Sequence, residues 1–152
     1  FRSIDFGAPK LNDDNREVYF IACIDRFSKY PSAKIVENAN SNNVLKFLDD
    51  YIQNHGVPRS IRLDQAKCLI GKQMKQFCSA NNIQLIPAPA GDHCSIGLVE
   101  RLIQTIKLKL GCMKFANKTE KFDIKDSIKR IIYQQRICKQ KTTKITLFEA
   151  YL

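Results

Sequence analysis

No stretch of this sequence reaches the roughly 18 consecutive apolar residues that a membrane-spanning helix requires. Its six cysteines, at positions 23, 68, 78, 94, 112 and 138, never form Cys-x-x-Cys pairs, and His55 and His93 are the two histidines. A structural zinc site draws its ligands from closely spaced pairs, and the neighbours His93 and Cys94 have no such counterpart, which argues against one. Most of the cysteines sit in apolar stretches, which predicts buried, reduced thiols of an intracellular protein and no disulfides. Internal repeats and low-complexity tracts are lacking too, and no signal peptide is expected. Phe1 opens directly on strand-like sequence, as expected of a boundary inside a longer chain.

Acidic residues are scarce as well: 15 stand against 25 lysines and arginines, for a net charge of +10. Much of the excess follows residue 100, from Arg101 and Lys107 to Lys141 and Lys144. Each phosphate that such a field neutralises releases counterions and adds affinity independent of base sequence, so a polyanion is the natural partner. By itself a basic helix surface is only a solvated face. The placement of the few acids shifts that balance towards nucleic acid.

The chain's 152 residues fit a single domain, 1–152, able to bury roughly two-thirds of its unfolded surface. Val18-Tyr19-Phe20-Ile21-Ala22-Cys23-Ile24 is continuously apolar and short, the mark of a buried strand. Asp13-Asp14-Asn15 before it turns the chain back from a first strand, and residues 25–31 bend it into a third, 32–37. Asn40-Ser41-Asn42-Asn43 then offers helix caps, apolar residues recur at helical spacing from Val44 to Ile52, and His55-Gly56 with Pro58 ends the helix. A strand over 59–63, a helix over 72–80 and a strand over 83–86 follow.

Residues 88–95 lack regular pattern and read as a loop. Leu98, Val99, Leu102, Ile103, Ile106, Leu110 and Met113 then form one apolar stripe, with Glu100, Gln104, Lys107 and Lys114 on another face. A last long helix starts near Asp123, with Ile124, Ile128, Ile131, Ile132 and Ile137 turned inward, and Thr146 caps a terminal helix. Three antiparallel strands followed by helix–strand alternation predict an α/β fold, a five-stranded mixed sheet flanked by helices.

Three acids stand where such a fold could gather them. Asp5 closes the first strand, Asp64 closes Ile61-Arg62-Leu63, and Glu100 lies one turn into the stripe-bearing helix. Crowding two hard divalent cations around a phosphate needs compensating carboxylates, so the trio predicts metal-dependent phosphoryl transfer on nucleic acid. Asp25, which also ends an apolar strand, is the rival for the first position. Lys107 lies two turns beyond Glu100 with Gln104 between them, a geometry for gripping a phosphate beside the metals. Arg101, about 100° around the helix, and Lys67, in the segment after Asp64, complete the candidate DNA contacts.

The words Ile4-Asp5-Phe6-Gly7-Ala8-Pro9, Ile24-Asp25-Arg26-Phe27-Ser28-Lys29-Tyr30, Gly56-Val57-Pro58-Arg59, Asp64 and Gly97-Leu98-Val99-Glu100-Arg101 run in order through most of the chain. In these words the sequence resembles the catalytic core of retroviral and long-terminal-repeat retrotransposon integrases, most nearly the Ty3/gypsy branch. The 35 residues between Asp64 and Glu100 match the family spacing. The resemblance implies a ribonuclease H-like fold and a polynucleotidyl transferase in which Asp5, Asp64 and Glu100 bind two magnesium or manganese ions. It implies trimming of element DNA ends, joining of the freed 3′ hydroxyls to target DNA, a homodimer or larger assembly, and work in the nucleus, with assembly beginning in the cytoplasm. On the same resemblance, the zinc-binding and DNA-binding domains that flank the core in relatives lie outside this stretch.

The chain departs from its relatives twice. Asp64-Gln65-Ala66 stands where they have Asp-Asn-Gly, and His93-Cys94-Ser95-Ile96-Gly97 where they have Pro-Gln-Ser-Asn-Gly. Reshaped loops there leave two alternatives: a domesticated, catalytically reduced module that binds DNA or protein, and a ribonuclease H-like nuclease that cuts without joining.

Overall fold

The computed structural model describes residues 3–8, 10–13, 16–38, 40–63, 71–87, 97–116, 122–138, 144–147 and 149. In chain order its elements are β1 (Ser3–Gly7), β2 (Lys10–Asp13), β3 (Arg16–Asp25), β4 (Pro31–Val36), α1 (Ser41–His55), β5 (Ser60–Leu63), α2 (Lys72–Ala80), β6 (Gln84–Pro87), α3 (Gly97–Ala116) and α4 (Ile124–Ile137).

β3 organises the sheet. Ile4 to Gly7 pair antiparallel with Asp25 to Ala22, and Lys10 to Asp13 continue the same register against Tyr19 to Arg16. β1 and β2 therefore fill one sheet position in two segments. β4 takes the other edge of β3, also antiparallel, while β5 joins β1 and β6 joins β5 in parallel. Six segments thus occupy the five expected positions, in the order β4, β3, β1 with β2, β5, β6.

The unbroken apolar run of β3 follows from cover on both faces, since successive side chains point to opposite sides. Ile21 and Cys23 join Ile4, Ile61 and Leu63 beneath α1 and α2, where Val44, Phe47, Leu48, Tyr51, Met74 and Cys78 pack. Phe20, Ala22 and Ile24 meet α3 and α4 through Val99, Leu102, Ile106, Leu110, Ile128, Ile131 and Ile132. Each large aliphatic side chain buried in these layers is worth about 1.5–3 kcal/mol in transfer from water.

The helix ends are set by local chemistry. The Asn40 carboxamide accepts from the Asn43 backbone N–H at 2.8 Å to start α1, and Gly56 takes φ +80° to stop it, a region that side-chain-bearing residues seldom adopt. Asp123 caps α4 by accepting from the N–H groups of Lys125 and Asp126. Thr146 and Glu149 bond reciprocally, Thr146 Oγ1 accepting at 3.1 Å and the Glu149 carboxylate at 2.7 Å, as a capping box does.

Two expectations fail in detail. Ile137, the last residue of α4, is 49% exposed and not turned inward. Of the cysteines, Cys23 and Cys78 are buried, but Cys112 and Cys138 are exposed. Cys112 lies on the outer side of α3, opposite the stripe formed by Val99, Leu102, Ile106 and Leu110, and Cys138 is the residue after α4. None of these four is in a disulfide. Cys68, Cys94 and the 88–95 loop lie outside the described residues. Among the described residues, no helix is long and apolar enough to cross a membrane.

Candidate active site

Ladder parity decides where each acid points. Directly paired residues on neighbouring strands face the same side, so Asp5, opposite Ile24 and Arg62, faces α3 and α4. Asp25, opposite Ile4, faces α1 and α2. α3, which carries Glu100 in its first turn, packs on β1 and β3. The first and third predicted acids thus sit on elements in contact, on one side of the sheet. Asp64 lies outside the described residues; β5 ends at Leu63, one position before it.

Asp5 is fully buried, with no exposed surface. Both its carboxylate oxygens accept from Nη1 of Arg26, at 3.0 and 3.1 Å. Burial pushes its carboxyl above the ordinary value, while Arg26, Arg62 and Lys29 pull it back down without cancelling that effect. One carboxylate therefore lies in the field of three cations. Arg26 retains 34% of its side-chain exposure, so the side chain stays partly in solvent while its guanidinium bonds the acid.

The Arg26 turn is held from beneath by Asp25. Oδ2 of Asp25 accepts from the backbone N–H and the hydroxyl of Ser28, both at 2.7 Å. The Asp25 carbonyl accepts from the Lys29 N–H at 2.9 Å, and the Asp25 N–H donates to the Tyr30 carbonyl at 3.0 Å. Lys29 takes φ +61° to close the turn, a left-handed conformation uncommon outside glycine, and its ammonium donates to the Arg26 carbonyl. Arg136 of α4 lies 4.5 Å over the Tyr30 ring and donates to the Pro31 carbonyl at 3.1 Å and to Ser32 Oγ at 3.3 Å. Asp25 and Arg136, one a rival acid and the other part of the basic excess, are thus committed to this bend.

Gln104 and Lys107 are exposed on α3, as the stripe predicts, and Glu100 is half-buried at its start. Arg101 is exposed on a different flank, lining a cavity of about 300 Å³ with Ile24, Lys29, Leu98, Leu102, Thr105, Gln135 and others. Lys67 lies outside the described residues. Among the described residues, no three His, Cys, Asp or Glu side chains form a group that could hold a metal. Sequence reasoning passed over Arg26 and Arg62 as neighbours of Asp5. Arg62 carried a signal, a cation between the fully buried Ile61 and Leu63 on a short strand, where charge is rare unless paired.

Comparison with known proteins bears on the family and the fold. Residues 2–93 match the family described as "Integrase core domain". No curated protein matches the sequence. Among solved structures, a chain of the simian T-cell lymphotropic virus intasome in complex with PP2A regulatory subunit B56 gamma superposes with TM-score 0.88 at 17% identity, over 98% of this chain and 53% of that one. The chain thus spans about half the length of that intasome protein. The HTLV-2 integrase catalytic core domain in complex with magnesium, in its trimeric form, gives TM-score 0.83 at 15% identity, over 99% of this chain and 95% of that one. The catalytic core of BIV integrase gives 0.79 at 14%, over 98% and 92%. The fold is that of integrase catalytic cores, ribonuclease H-like with a mixed five-position sheet. With the sequence match covering more than half of its length, the chain belongs to the integrase core domain family.

Proposed function

We propose that this chain is the catalytic core of a retroelement integrase of the Ty3/gypsy type, which trims element DNA ends and joins their 3′ hydroxyls to target DNA in the nucleus. The observation that carries this reading is the buried Asp5 carboxylate on the sheet face covered by the Glu100 helix, within a chain of the integrase core family. Asp5, Glu100 and Asp64 would hold two magnesium ions. Carboxylate oxygens suit such hard cations, and a buried acid whose ionisation is disfavoured gains most from an adjacent dication. The bound metals supply an activated attacking oxygen and a stabilised leaving oxygen for in-line displacement. A magnesium-bound relative with this fold supports that choice of metal.

Lys107 and Gln104, exposed on the helix that carries Glu100, would grip phosphates leading to the metals, with Arg101 and Lys67 as further contacts. Leu108 and Phe115 on α3 and Tyr133 on α4 are exposed and apolar, surface suited to burial between copies, and relatives are described in dimeric, trimeric and intasome forms. One observation favours a catalytically reduced module instead: Arg26 bonds both Asp5 oxygens.

Incubation with branched DNA and magnesium or manganese separates the readings. An integrase core cleaves and rejoins the branch, and D5N, D64N and E100Q abolish joining while leaving the fold and much of the DNA binding intact. Near-normal joining by any of the three would refute the site. Cleavage of RNA–DNA hybrids without joining would identify a nuclease, and DNA binding without chemistry a reduced module.

A further inference from the structure

We infer that Arg26 is a cationic placeholder for the metal site, occupying both oxygens of Asp5 in the metal-free protein and leaving them when a divalent cation binds. The inference deepens the proposed function and rests on Asp5 being a metal ligand.

A carboxylate without exposed surface cannot keep its charge unaided, and the Arg26 guanidinium supplies the opposite charge at 3.0 and 3.1 Å. Each oxygen keeps a second lone pair, but a dication beside them brings the greater charge and repels a guanidinium held at 3.0 and 3.1 Å, so the two compete for this carboxylate. Arg26 is also built to move at its tip only. The turn beneath it is fixed by the Asp25 bonds to Ser28, Lys29 and Tyr30, whereas the side chain retains 34% exposure. Arg62 lies opposite Asp5 in the middle of β5, between the buried Ile61 and Leu63. Lys29 shares the bend, but its ammonium donates to the Arg26 carbonyl, whereas Arg26 bonds the Asp5 carboxylate itself. Metal affinity is therefore set partly by the cost of displacing Arg26, and removing that cation should tighten it.

The test is manganese binding by the whole chain, read from the spectroscopic signal of free Mn²⁺ and from thermal melting with and without Mn²⁺. R26Q should bind Mn²⁺ about tenfold more tightly than wild type, a difference of about 1.4 kcal/mol, and should gain more melting temperature from the metal. R26K, which keeps a charge but loses the planar fork, should fall between the two. Nitrogen NMR of the arginine side chains gives a reading that needs no variant: Mg²⁺ should release the Arg26 guanidinium from its slowly exchanging, bonded state in wild type. A folded R26Q with unchanged or weaker Mn²⁺ affinity, or an Arg26 signal indifferent to Mg²⁺ in wild-type protein that binds it, would overturn the inference. D5N separates the levels of failure. If D5N loses Mn²⁺ binding while R26Q matches wild type, Asp5 remains a ligand and the placeholder role falls; if D5N binds Mn²⁺ as wild type does, the metal site itself is wrong.

Discussion

Asp5 and Asp25 stand one pair out of step on the β1–β3 ladder, Asp5 opposite Ile24 and Asp25 opposite Ile4, so their carboxylates lie on opposite faces of the sheet. The two acids therefore fail differently when removed. Asp25→Ala strips Ser28 of two bonds inside a buried turn and should cost about 1–3 kcal/mol. Asp5→Asn should leave the fold intact and abolish joining. Urea denaturation beside a strand-transfer assay checks the pair; a stable Asp25→Ala would show that the bend does not depend on its carboxylate.

The pH dependence of stability carries the signature of Asp5. Burial raises its native pKa above the ordinary 3.8, so the native state holds this proton more firmly than the unfolded chain does. Its ionisation then subtracts stability: nothing below pH 3.8, and the full amount once the pH exceeds the raised native value. D5N, which cannot ionise, should be more stable than wild type at neutral pH without metal, and the gap should close as the pH falls through that interval. Denaturation curves at several pH values in a chelating buffer measure it. A gap that widens on acidification would contradict the assigned direction.

Arg136 and Lys107 belong to the same basic excess and should behave in opposite ways. Arg136→Ala loses its stacking on Tyr30 and its bonds to Pro31 and Ser32, for about 1–3 kcal/mol of stability. Lys107→Ala, on exposed surface, should stay within about 0.5 kcal/mol of wild type. Its effect should fall on DNA, lowering the slope of log affinity against log salt by about 0.9 for one lost phosphate contact. Fluorescence-anisotropy titrations at several salt concentrations give that slope, and an unchanged value would remove Lys107 from the DNA path.

Thiol reactivity should divide by burial. Cys23 has no exposed surface, and burial pushes its thiol far above the ordinary range, so it should resist labelling in the native state. Cys112 and Cys138 are exposed and should label readily. Peptide mapping after brief treatment with a thiol reagent distinguishes them; rapid native labelling of Cys23 would mean that the core beneath α1 opens readily.

The core offers a check on the layer assignment. Ile106 is fully buried between α3 and the sheet, and Ile106→Ala should cost about 2–5 kcal/mol. Thermal or urea denaturation measures it, and a loss below 1 kcal/mol, the scale of a surface change, would contradict a packed layer there.

The sequence by itself determined the helices and the order of the five sheet positions, though not the division of one position into β1 and β2. Periodicity is local, so the alternation of apolar residues placed α1, α2, α3 and α4, and Asn40, Gly56, Asp123 and Thr146 marked ends through bonds made within a few residues. It also singled out the acids, because carboxylates at strand and helix ends are visible in one dimension. On the sequence, Asp5 is preferred to Asp25 by the resemblance alone, since both end apolar strands; which sheet face each occupies depends on a register between chain positions 20 residues apart, which only pairing fixes. The same holds for Arg26 over Asp5 and Arg136 over Tyr30. The first contact spans 21 positions and the second joins α4 to a bend near the start of the chain. A charge's partner is set by which faces the tertiary structure brings together, and a buried carboxylate takes whatever cation those faces supply.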